Sequence, residues 1–181
     1  MSNRSEKVIS DLPEEVQSWI GETLTAKLGP LPVEAGMCVA FTSATGDKNS
    51  AYFQAGSLAC DSDQGRRHVP PVMLPIWVRS LDGARPSIEE QQASEFHFRL
   101  KNALGLPLGI VKENAVYFYH PVEVGDVISC QQQLIEVTKE RTNRLGIGRD
   151  WLIHINYYRE DGTLMGMESM RLFGYKKAEQ S

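Results

Sequence analysis

The apolar positions change their rhythm part-way along the chain. Early on they recur at helical spacing: Val16, Trp19, Ile20 and Leu24 fall on one face of a helix. Asp11 followed by Pro13-Glu14-Glu15 supplies a cap and early acids, so residues 13–27 are expected to form a short amphipathic helix. Gly29-Pro30-Leu31-Pro32 stops it. Residues 36–45 fit a strand end or a helix, and periodicity alone does not choose. Pro70 and Pro71 suit a helix entrance, where a missing N–H costs nothing. Val72–Leu81 then reads as a buried helix interrupted by Pro75. Residues 82–87 read as a loop, and residues 87–104 as polar and helix-permissive.

The last third alternates instead. Val116, Phe118 and His120 interleave with Tyr117, Tyr119 and Pro121 in a strand. Val127, Ser129, Gln131, Gln133, Ile135 and Val137 are expected on one face of the next. Two further strands read over 149–159 and 163–175, joined by the hairpin turn Glu160-Asp161-Gly162-Thr163. His154, between Ile153 and Ile155, is expected on the outer sheet face. Helices gathered early and antiparallel strands gathered late give an α+β fold, not alternating βαβ units.

Composition narrows the classes. A chain of 181 residues is long enough for one domain with a proper core. The hydrophobic content of 41% and charged content of 23% are those of an ordinary globular protein. A net charge of -4 leaves no broad basic field, which argues against nucleic acid as a partner. Cys38, Cys60 and Cys130 are odd in number and far apart, which fits free thiols in a reducing compartment. No pair of them has zinc-site spacing, and no metal is expected. No apolar run has the length of a signal peptide or of a membrane span, so the expected setting is the cytoplasm.

One stretch concentrates chemistry. Asp47, Asn49 and Tyr52 fall within Ala44-Thr45-Gly46-Asp47-Lys48-Asn49-Ser50-Ala51-Tyr52-Phe53. From composition alone this is a turn, since Asp, Asn and Ser bond their own backbones and Gly46 allows positive φ. It is not a calcium loop, whose fifth position would be Ala51, and no phosphate-cradling loop is present in the chain.

Four motifs in order resemble the MaoC-like hydratase family. Residues 41–53, ending Gly-Asp-Lys-Asn-Ser-Ala-Tyr-Phe, resemble its hydratase signature, written Gly-Asp-x-Asn-Pro-x-His. His68-Val69-Pro70-Pro71-Val72-Met73-Leu74 resembles the entrance to its central helix. His120-Pro121-Val122-Glu123-Val124-Gly125-Asp126 is similar to a strand end usually written Arg-Pro-Val-x-x-Gly-Asp, and residues 160–177 to the closing hairpin. The closest likeness is to the N-terminal, fatty-acid-synthase-type dehydratase subgroup, whose members often carry tyrosine in place of the histidine and act as the non-catalytic half of a pair.

The resemblance implies a single hotdog domain over 33–177, an antiparallel sheet wrapped around a central helix, behind a helical lead-in over 1–32. It implies hydration of 2-enoyl-CoA thioesters, with coenzyme A as part of the substrate and no separate cofactor. By position Asp47 matches the catalytic aspartate, Asn49 the asparagine and Tyr52 the histidine. His68, Met73, Ile76 and Trp77 would border the acyl group, and Arg66, Arg67 and Arg144 would face coenzyme A. Tyrosine at position 52 breaks the pattern. A phenol with its ordinary pKa near ~10 is ionised in about one molecule in a thousand at pH 7, whereas imidazole titrates near ~6.5. The expectation is therefore a substrate-accommodating subunit, with a second hotdog subunit supplying Asp and His in a heterodimer or heterotetramer. A bulky acyl group such as a steroid side chain would suit it. The alternatives are a self-sufficient homodimeric hydratase or thioesterase using Asp47, and an acyl-CoA-binding protein without turnover.

Overall fold

The computed structural model describes residues 11–24, 27–49, 52, 68–79 and 95–177. The elements run α1 (Glu14–Trp19), β1 (Lys27–Leu28), α2 (Ala35–Thr45), a 3-10 helix (Pro71–Val78), α3 (Glu95–Ala103), β2 (Leu108–Phe118), β3 (Ile128–Val137), β4 (Arg141–Asn143), β5 (Gly146–Arg159) and β6 (Leu164–Lys176). They build one antiparallel sheet in the order β1-β3-β5-β6-β2, with β4 paired to β5 outside that path. The α+β reading and the long closing hairpin hold. Its turn closes through Gly162 at φ 85 and a bond from Arg159 N–H to Thr163 O at 2.9 Å.

The helices came out shorter than expected. The helix read over 13–27 is only α1, because Gly21 takes φ 88 and the chain then runs beside β3. Asp11 does not cap it; its carboxylate accepts a bond from the buried Arg149 at 2.9 Å. Residues 36–45, left open, belong to α2. The buried helix read over Val72–Leu81 is a 3-10 helix over Pro71–Val78, with Pro75 inside it removing one N–H from its ladder and residues 80–81 outside the described residues. The polar stretch 87–104 yields α3, with residues 87–94 outside the described residues. His120 lies beyond the end of β2, its N–H donating to Met165 O at 3.2 Å.

The 3-10 helix and α3 both pack against β3. Met73, Leu74 and Trp77 of the former, with Phe96 and Leu100 of the latter, meet Ile128 and Leu134 of β3 and Trp151, Ile153, Ile155 and Tyr157 of β5 in one core. Gly166 of β6 sits against both β2 and the 3-10 helix: a Cβ there would stand 2.5 Å from Tyr117 O and 2.6 Å from Leu74 Cδ2. On β3 the buried residues are Ile128, Cys130, Gln132 and Leu134, so the face carrying Ser129, Gln131 and Gln133 is the outer one. Period two puts Val137 on the same face as Ser129, Gln131 and Gln133. A register shift between Leu134 and Glu136 turns it inward, opposite Trp151. His154 sits outward between buried Ile153 and Ile155, as read.

Candidate functional site

The chain reaches the Gly-Asp motif at the end of α2. Thr42, buried, bonds back to Cys38 O at 2.8 Å, and Gly46 at φ 68 turns the chain out of the helix. Asp47 N–H then closes the cap on Thr42 O at 2.9 Å. Asp47 Oδ1 accepts the Asn49 N–H at 2.9 Å, and Tyr52 N–H donates to Asn49 O at 3.1 Å. The first of these bonds is an Asx turn, as composition alone suggests for this stretch. Asp47 and Tyr52 are both half-buried, and no hydrogen bond joins their side chains among the described residues.

His68 stands at the entrance to the 3-10 helix. It forms a single antiparallel bridge with Glu123, and its Nε2 lies 3.4 Å from Glu123 Oε1. Glu123 is buried, and sequence reasoning passed over it. The available signal was an acid set between Val122 and Val124 in a motif that was otherwise recognised. The turn that holds it is closed by Asp126, whose Oδ2 accepts the Glu123 N–H at 2.9 Å, with Gly125 at φ 95. The same turn reaches in two directions. Val69 N–H donates to Val122 O at 3.0 Å, and Val33 N–H to Asp126 O at 2.8 Å. Val33 leads into α2 and Val69 into the 3-10 helix, so residues 122–126 clamp together the two segments that carry the expected site.

Met73 and Trp77 are core residues, and Ile76 is half-buried at the edge of that core. The Trp77 indole N–H is buried and has no hydrogen-bond partner among the described residues. Arg144 is exposed in the β4–β5 turn, and Arg66 and Arg67 lie outside the described residues. A second polar centre was also missed. Glu168 of β6 is 1% exposed and accepts bonds from Tyr157 Oη at 2.5 Å and Asn114 Nδ2 at 2.8 Å. Burial, and then the neighbouring Glu168 carboxylate, push the Tyr157 phenol far above its ordinary value. The signal was an acid at an inward position of β6, in step with Gly166, Met170 and Leu172. Among the described residues no group of three or more His, Cys, Asp or Glu is placed to hold a metal ion, and no helix is long and apolar enough to cross a membrane.

The fold has solved counterparts. The ChsH1–ChsH2 complex from Mycobacterium tuberculosis contains a chain that superposes with a TM-score of 0.73 at 20% identity, over 91% of this chain and 90% of that one. A MaoC-like dehydratase from Rhodospirillum rubrum superposes with a TM-score of 0.55 at 13% identity, over 94% of this chain and 97% of the other. The chain has the hotdog fold of the MaoC-like dehydratases. In sequence it is 27% identical over 178 residues to a probable enoyl-CoA hydratase alpha subunit of Thermomonospora curvata. That match covers 94% of this chain and 54% of the relative, so the chain spans about half the length of the curated relative it matches. No family model matches the sequence.

Proposed function

We propose that this chain is the substrate-accommodating subunit of a heteromeric 2-enoyl-CoA hydratase, with the catalytic Asp and His supplied by a second hotdog subunit. The observation that carries the reading is the state of the Gly-Asp motif. Its last position is Tyr52, and Asp47 Oδ1 is engaged by the Asn49 N–H rather than by a basic side chain. Water addition to an enoyl thioester needs a base poised near the operating pH and a donor for the developing enolate oxygen. The donor side is depleted as well, since Pro70 and Pro71 at the 3-10 helix entrance have no N–H to offer.

Two comparisons support the heteromeric part. One relative is named an alpha subunit, and one structural counterpart is a complex of two proteins. In this reading the acyl group enters as its coenzyme A thioester. A chain relieved of the catalytic pair can leave room for a bulky acyl group, for which a steroid side chain is the candidate. The test is hydration of 2-enoyl-CoA esters of graded bulk, followed by loss of enoyl absorbance. The chain alone is expected to be inactive, and addition of the Asp/His subunit to give turnover. Turnover by the chain alone would return the chemistry to Asp47. Binding without turnover in any pairing would leave an acyl-CoA-binding protein.

A further inference from the structure

Strand β2 is an edge of the sheet, bonded to β6 on one side. It is 11 residues long and apolar towards both ends, with Val111 55% and Phe118 43% exposed. Its centre is Lys112-Glu113-Asn114, and the outer two residues are committed inward. Lys112, the extra residue at a register shift between Val111 and Glu113, donates from Nζ to Asp150 Oδ1 at 2.8 Å. Asn114 Nδ2 donates to Glu168 Oε1 at 2.8 Å. Both acceptors are buried carboxylates. Glu113 forms no ion pair among the described residues, and its neighbour across the ladder, Arg171, is held by Glu136 at 3.3 Å.

We infer that β2 is built to pair with a non-identical hotdog domain presenting a basic side chain opposite Glu113, and to reject a second copy of this chain. This deepens the heteromeric reading above and rests on it. Two identical edges pair antiparallel about a twofold axis, so each contact is repeated with its partners exchanged. Pairing over the whole of β2 centres that axis on Glu113, which then stands opposite its own copy, while Lys112 faces Asn114 of the copy. Like charges directly opposite destabilise a strand pair. Both neighbours are already engaged. Releasing Lys112 leaves a buried aspartate with Arg141 as its one remaining cation, and releasing Asn114 strips a buried glutamate of a donor. A charged residue beside a bulge is also how proteins guard an edge against self-pairing. A lysine or arginine on a different partner turns the same carboxylate into an attraction.

A charge swap on the intact chain tests this. Wild type, the Glu113→Lys variant and their equimolar mixture are compared by sedimentation velocity across a concentration series, with circular dichroism confirming that the exposed substitution leaves the fold unchanged. The mixture is expected to associate about tenfold more tightly than either chain alone. A mixture no tighter than either chain alone, including one in which nothing associates, overturns the inference. No acyl-CoA and no catalytic subunit enter the experiment, so its outcome is independent of whether the hydratase reading stands.

Discussion

The two edges of the sheet are finished in opposite ways. At the β1 edge the chain seals itself. Residues 21–24 and 27–29 lie along β3, with Gly21 N–H on Leu134 O at 2.7 Å, Leu24 N–H on Gln132 O at 2.9 Å and Gly29 N–H on Ile128 O at 2.7 Å. The strand among them is only Lys27–Leu28, too short to template another chain. Gly29 makes the close approach possible, since a Cβ there would stand 2.1 Å from Trp77 O and 2.8 Å from Ile128 O. At the β2 edge nothing comparable happens among the described residues. Ten register pairs bind it to β6, and its other side faces outward with Ile110, Val111, Tyr117 and Phe118 all exposed. An edge of that length and apolarity is a hazard in a monomer and an asset in a subunit. The sheet therefore has one end that terminates and one that is prepared to continue.

Leu28 and Val111 give the sharpest way to break that contrast, because they are 59% and 55% exposed, one on each edge. Exposure alone would make Leu28→Glu and Val111→Glu equivalent. If only β2 receives the partner, Val111→Glu should weaken binding of the catalytic subunit by about a hundredfold, the scale of a charge forced into a desolvated contact. Leu28→Glu should change it by less than about twofold, as for an exposed surface site. Titration of each variant against the immobilised catalytic subunit measures both, and equal losses would show that the edges do not differ.

His97 offers a smaller effect confined to the open side. It lies on α3 under the start of β2, where a Cβ on Gly109 would stand 2.8 Å from His97 Cε1. Its Nδ1 is buried with no partner among the described residues, and its ring meets Trp151 at 5.5 Å between centroids. Burial, and then the nearby Lys101 ammonium, push its pKa down to about 4. The folded chain thus holds this imidazole neutral where the unfolded chain, titrating near ~6.5, takes up a proton. Its contribution to stability is present above ~6.5 and is lost as pH falls from there through about 4. Because the ring is only partly buried, solvent screening reduces the effect to about 1–2 kcal/mol. His97→Gln should flatten the fall in stability between pH 7 and pH 4.5, read by urea unfolding. In wild type, hydrogen-exchange protection should drop at Gly109 and Ile110 before it drops at Lys27 and Leu28. Uniform loss across both edges would count against a role specific to β2.

How much of this was readable beforehand follows from whether the deciding contacts are local. The last two strands and their turn were legible because alternation and Asp161-Gly162 act within a few residues. The fate of Asp11 was not, because Arg149, which claims it, is 138 residues away. The inward turn of Val137 depends on a bulge that no count of period two can anticipate. α2 stayed ambiguous because only Cys38 and Thr42 are buried on it, too few to print a helical period. At the candidate site the motif residues were legible by their spacing. The buried carboxylates Glu123 and Glu168 were not, because what gives each a role is burial against a group from another strand or loop.

The motif itself supplies the smallest expected effect. Asp47→Asn keeps an oxygen to accept the Asn49 N–H, so the turn at the end of α2 should persist. If the base belongs to the partner, turnover by the assembled pair should change by less than about twofold, and Tyr52→Phe should behave alike. Removing the corresponding acid or histidine from the partner should cost about 10²–10⁴-fold, the usual scale of a general base. The ratio of the two losses, from kcat measured on the reconstituted pair, locates the chemistry. A loss above about tenfold for Asp47→Asn would place part of it in this chain, and the contrast between its edges would then describe how two active halves meet.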